Sequence, residues 1–114
     1  MGSDEVILSE AAISGPEARG TARLIRQASG AVVLRVEAYW IAEGAPDARF
    51  YLTPDAGGAV NVDGVIDFGK MDQLTGTVEF ALPEGVDPAS LGAVVVYCKA
   101  YSVEFGKGAL QATA

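Results

Sequence analysis

Val94-Val-Val-Tyr-Cys-Lys-Ala-Tyr-Ser-Val-Glu-Phe-Gly106 is the densest β-forming run in the chain, and it holds the only cysteine, Cys98. Branched and aromatic side chains crowd it, and these fit a pleated, half-buried surface. With a period of two, Val94, Val96, Cys98 and Ala100 share one face. Val95, Tyr97 and Lys99 share the other. The face carrying small apolar partners is the expected core face. A thiol is also the one strongly nucleophilic, redox-capable group the chain owns, so the strand that sets the fold also carries any chemistry.

Outward from that strand, the chain reads as short strands punctuated by turns. Glu5 to Ile13 is apolar enough for a first strand, ended by Ser14-Gly15-Pro16. In Thr21 to Gln27, Ala22 and Leu24 share a face. Ser29-Gly30 joins two strand-like runs, a hairpin signal. From Ala31 to Trp40 the alternation predicts one dry face holding Val32, Leu34, Val36, Ala38 and Trp40, with Arg35 and Glu37 opposite. Glu43 to Asp47 is a turn or loop, Arg49 to Thr53 a short strand, and Ala59 to Phe68 carries the Asn61-Val-Asp-Gly64 turn signal ahead of Val65-Ile66. Gly69 to Gly76 is read as a connector. Thr77 to Leu82 follows with Val78, Phe80 and Leu82 inward. Asp87 caps a single helical turn that has Pro88 at its first position. A short strand or bulge begins near Tyr101, and Gly106-Lys-Gly108 is read as a turn.

Runs of this length, about ten residues apart and without amphipathic helices, predict an all-β fold. The expected architecture is an antiparallel β-sandwich of about eight or nine short strands. The expected organisation is an N-terminal segment 1–14, comprising a Met1-Gly2-Ser3 cloning scar and a first strand, followed by one domain over 15–112. A chain of 114 residues, 50% hydrophobic and 20% charged, is enough for one core.

Composition also excludes chemistry. Histidine is absent. That removes Ser-His-Asp and Cys-His nucleophile pairs, blue-copper sites and histidine-ligated haem. One cysteine forms neither an intrachain disulfide nor a four-cysteine cluster. The net charge of −7 repels nucleic acid, and no apolar run is long enough to span a membrane. No cofactor is expected. The alternatives are haem held by Cys98 or Met71, and calcium at Asp63 and Asp67 among the turn carboxylates Asp47, Asp55 and Asp72. Nothing marks a carboxylate pair for glycoside hydrolysis.

Several stretches together resemble the DM-thirteen domain, a module found beside DOMON domains and in secreted or lipid-anchored proteins. The resemblance runs from Gly20-Thr-Ala22 through Val33-Leu-Arg-Val-Glu37 with Tyr39, then Gly44, Pro46, Asp47 and Tyr51-Leu-Thr53. It continues through Gly69, Met71, Gly76, Phe80 and Pro83 to the closing Val94–Gly106 signature. Tyr97 stands where the family usually has tryptophan, Ala38 where it tends to have aspartate, and Ala45 interrupts its Gly-Pro-Asp.

The resemblance implies a β-sandwich working outside the cytoplasm, periplasmic or secreted, in redox or electron-transfer chemistry. That chemistry would be centred on Cys98, with Lys99, Tyr97 and Tyr101 as neighbours. It is expected to be a non-enzymatic module with an unidentified protein or small-molecule partner, monomeric or weakly dimeric, with a lipid anchor in the native precursor. The competing expectation is a non-catalytic binding or adhesion module in which Cys98 only packs the core.

Overall fold

A computed structural model describes residues 5–44 and 47–113. The readings placed on Met1–Ser3, Ala45 and Pro46 lie outside the described residues. Nine strands follow one another among these residues: β1 (Val6–Ile13), β2 (Ala18–Arg26), β3 (Val32–Ile41), β4 (Ala48–Thr53), β5 (Ile66–Lys70), β6 (Thr75–Ala81), β7 (Ala93–Cys98), β8 (Val103–Ala109) and β9 (Gln111–Ala112). They form two antiparallel sheets, ordered β6-β3-β2-β1-β9 and β5-β4-β7-β8. The fold is the antiparallel β-sandwich that the alternation implies. Between β6 and β7 lies one 3₁₀ turn, Pro88–Ser90, with Asp87 accepting a hydrogen bond from the Ala89 amide.

The core lies between the sheets. Leu24, Leu34, Val36, Phe50, Leu52, Val94, Val96 and Cys98 are buried there. Phe50 stands at its centre, edge-on to Tyr39 at 5.3 Å and tilted against Phe80 at 6.1 Å. Phe68 on β5 stacks on Phe80 of β6 at 4.7 Å and so covers one flank. The opposite flank is sealed by backbone. The Ser14 amide donates to the Lys107 carbonyl, and the Lys107 amide donates back to Ser14, each at 3.1 Å. This seam is why Gly106 and Gly108 belong to strand β8 rather than to the turn predicted for them. A Cβ on Gly108 would sit 2.4 Å from the Ala12 carbonyl oxygen, and one on Gly106 would sit 3.0 Å from that of Ala18. These glycines serve close approach, not chain reversal. The turn falls earlier, at Lys99–Ser102, where Ala100 leaves the core face and Ser102 takes φ 52°.

The predicted dry face of β3 holds through Leu34 and Val36 and then fails. A bulge sets Gly20 of β2 against both Ala38 and Tyr39: Thr21 pairs with Glu37, but Arg19 pairs with Trp40. Ala38 adopts φ 51° to supply the extra residue. The phase then inverts, since one added residue exchanges the two faces. Tyr39 and Ile41 turn inward, while Ala38 is exposed and Trp40 is 39% exposed beneath the Arg19 guanidinium.

The segment from Ala59 with its Asn61–Gly64 turn is irregular until Ile66, as that turn signal implies, and β5 then runs through Gly69 and Lys70, where the sequence predicts a connector. The irregular stretch folds onto the outer face of the second sheet. There the Thr53 hydroxyl donates to the Ala59 carbonyl at 2.6 Å, and Gly58 lies close to Val95. That cover explains why Thr53 and Val95, on an outward face, are fully buried.

Candidate functional site

Cys98 is the last residue of β7, paired across the sheet with Ala48 of β4 and Val103 of β8. Its thiol is free and fully buried, in the same apolar cluster as Val94, Val96 and Phe50. Among the described residues the one buried polar or charged side chain is Thr53, on the far face of the sheet. A thiol so placed behaves as a small hydrophobe while the strand stays closed. The next residue begins the exposed turn Lys99–Ser102. Two backbone hydrogen bonds hold that turn: Lys99 amide to Asp47 carbonyl at 3.0 Å, and Ser102 amide to Lys99 carbonyl at 3.3 Å.

The proposed neighbours of the sulfur are divided by the pleat. Tyr97 and Lys99, one residue either side of Cys98, project to the outer face. Tyr97 is half-buried, with its ring 5.6 Å from that of Tyr51. The Lys99 ammonium sits 4.0 Å from Asp67 Oδ2. Tyr101 is 63% exposed in the turn. Cys98 therefore faces the core, while the outer face collects a polar and aromatic cluster of Arg49, Asp47, Asp67, Lys99, Tyr51 and Tyr97. Arg49 organises it, donating to Asp47 at 2.8 Å and to Asp67 at 2.7 Å. Burial, and then the Asp67 charge, push the Tyr51 hydroxyl above its usual range. The sequence reading missed Arg49 and Tyr51. Their alternation on β4 was visible, but the register that sets them against Tyr97 and Lys99 is a long-range pairing.

Among the described residues no three His, Cys, Asp or Glu side chains converge as a metal site. Asp67 lies in β5, where Arg49 and the Gly69 amide already engage its oxygens, and Asp63 is exposed in a turn. Met71 packs half-buried against the core.

The hydrogen bond from Arg49, before any other influence, holds the Asp47 carboxyl below the usual aspartate range. A carboxyl with a depressed folded pKa adds stability that is complete above the ordinary aspartate value of about 3.9 and is lost as pH falls through the depressed value. Arg49→Met is expected to return Asp47 to the ordinary range in an NMR titration, and to remove this share of the acid-side loss of stability. An unchanged Asp47 midpoint in the variant would assign the shift to something other than Arg49.

No curated protein and no solved structure matches the chain. A family model described as electron transfer DM13 matches residues 14–110, from the Ser14 seam through the cysteine strand to Leu110. On that match, which spans β2 to β8, the chain belongs to the electron-transfer DM13 family.

Proposed function

We propose that this domain is an extracytoplasmic electron-transfer module in which Cys98 is a gated thiol, reached when the end of the β7–β8 hairpin opens. The observation that carries this reading is the position of the sulfur: buried, yet on the last strand residue before the exposed turn Lys99–Ser102. Opening there costs two turn hydrogen bonds and the end pairings of Cys98 with Ala48 and Val103 rather than the whole core, and local openings of this kind fall below the global unfolding free energy. The chemistry is thiol–disulfide exchange. The Cys98 thiolate attacks a disulfide of the partner, a Cys98–partner S–S bond forms, the partner's S–S bond breaks, and the leaving sulfur departs as thiolate with the electron pair. Cys98 sulfur is oxidised and the partner's leaving sulfur reduced. With no second cysteine in the chain, the mixed disulfide is resolved by an external thiol.

Labelling with a small alkylating reagent tests the gate. The expected result is slow modification of the native protein, at a rate well above global unfolding measured in the same buffer. Modification only at the global unfolding rate would make the thiol a packing group.

The complete burial of Cys98 favours a second reading, a binding module in which the sulfur is structural. Under it, Cys98→Ser costs roughly 1–3 kcal/mol through a hydroxyl placed among apolar groups, read by urea unfolding. Partner capture would survive the substitution. The gated reading keeps the stability loss but requires redox activity to vanish.

A further inference from the structure

A cavity of about 410 Å³ opens where the sandwich ends, between the start of β1 and the 3₁₀ turn. Leu8, Leu91, Leu110 and Pro88 line it, with Arg26 and Asp87 among the lining groups. Leu91 is buried, and Leu8 and Leu110 pack half-buried against the core, so the lining is a continuation of the hydrophobic interior. The volume lies in the range of small-molecule sites, which typically set a few polar groups against apolar walls.

Arg26 distinguishes this cavity from a packing defect. Of the five arginines, Arg23, Arg35 and Arg49 each bridge two carboxylates, and Arg19 lies over the Trp40 ring. Among the described residues Arg26 alone has no carboxylate or ring partner. In a chain of net charge −7, an unpaired guanidinium beside an apolar cavity is unusual. A guanidinium presents a planar fork of donors that fits a carboxylate with two parallel hydrogen bonds. Asp87 has one carboxylate oxygen committed to the Ala89 amide. Its negative charge still disfavours ligands carrying more than one.

We propose that this cavity binds an aliphatic monocarboxylate, its chain against Leu8, Leu91 and Leu110 and its head group on Arg26. The site is separate from Cys98 and stands or falls independently of the redox reading.

The test is titration of the full chain with octanoate, below its aggregation range, followed by amide NMR. The expected result is saturable shifts at Leu8, Leu91 and Leu110 and at the Arg26 side-chain N–H. Arg26→Gln, on an exposed side chain that leaves the fold intact, is expected to weaken binding roughly tenfold through loss of a charge-assisted pair. Asp87→Asn keeps the cap and is expected to tighten binding roughly two- to fivefold by removing a like charge. Absence of saturable shifts would overturn the proposal, as would equal binding of 1-octanol, an unchanged affinity in Arg26→Gln, or weaker binding in Asp87→Asn.

Discussion

Phe50→Ala is expected to remove about 3–5 kcal/mol of folding stability, the cost of truncating a fully buried aromatic whose surroundings only partly collapse. Phe50 of β4 packs across the sandwich against rings of the facing sheet. Its ring is edge-on to Tyr39 of β3 and tilted against Phe80 of β6, with no exposed surface. Phe80 in turn stacks on Phe68, so the truncation unsupports the flank between β5 and β6 as well. A domain of this size has roughly 5–15 kcal/mol in total. The variant should therefore fold at low temperature and unfold at much lower urea. Phe50→Leu, which refills most of the volume, should recover more than half of the loss. A change below about 1 kcal/mol for Phe50→Ala would mean the core is not organised around this ring.

The second large effect is expected at Gly108→Val, at about 3 kcal/mol or more, the upper end of what overpacking costs. The reason is geometric. Even the first added carbon would lie 2.4 Å from the Ala12 carbonyl oxygen and 2.7 Å from its carbon. Those are backbone atoms of β1 and cannot rotate aside, so the substitution must part the seam that Ser14 and Lys107 close. Gly30→Ala is the matched control. Gly30 has φ 91° in the β2–β3 turn, yet nothing lies within 4 Å of an added carbon. It should therefore cost only the conformational penalty of about 1 kcal/mol. Comparable losses at the two positions in urea unfolding would show that backbone crowding at the seam is not what Gly108 relieves.

Local pattern carried the fold class and most strand positions, and it failed where tertiary contacts decide. Val78, Phe80 and Leu82 point inward as their alternation predicts, and Asp87-Pro88 caps a turn, because both signals are complete within a few residues. The reversal at Ala38 was invisible: nothing in Val36-Glu-Ala-Tyr39 announces a left-handed alanine, which is held there by pairing against Gly20. Gly106 and Gly108 look like turn residues because the same lack of a side chain serves tight turns and close strand approach. The side of the sheet that Cys98 faces was legible from Val94 and Val96. Its depth was not, since burial depends on the second sheet and on how β4 and β8 flank it. The cluster under Arg49 and the cavity beside Arg26 each join residues from several distant segments, beyond the reach of any local window.

The pairing of β1 with β9 has a mechanical consequence. Ser9 lies opposite Ala112 in antiparallel register, and the Thr113 amide reaches back to the Leu8 carbonyl. Polypeptide continuing from either end would emerge side by side, so tension between the two would peel this short ladder open one rung at a time instead of sliding it. The first event under load would be detachment of the two-residue β9, which frees the first sheet's edge beside Leu8 while the layer carrying Cys98 stays folded.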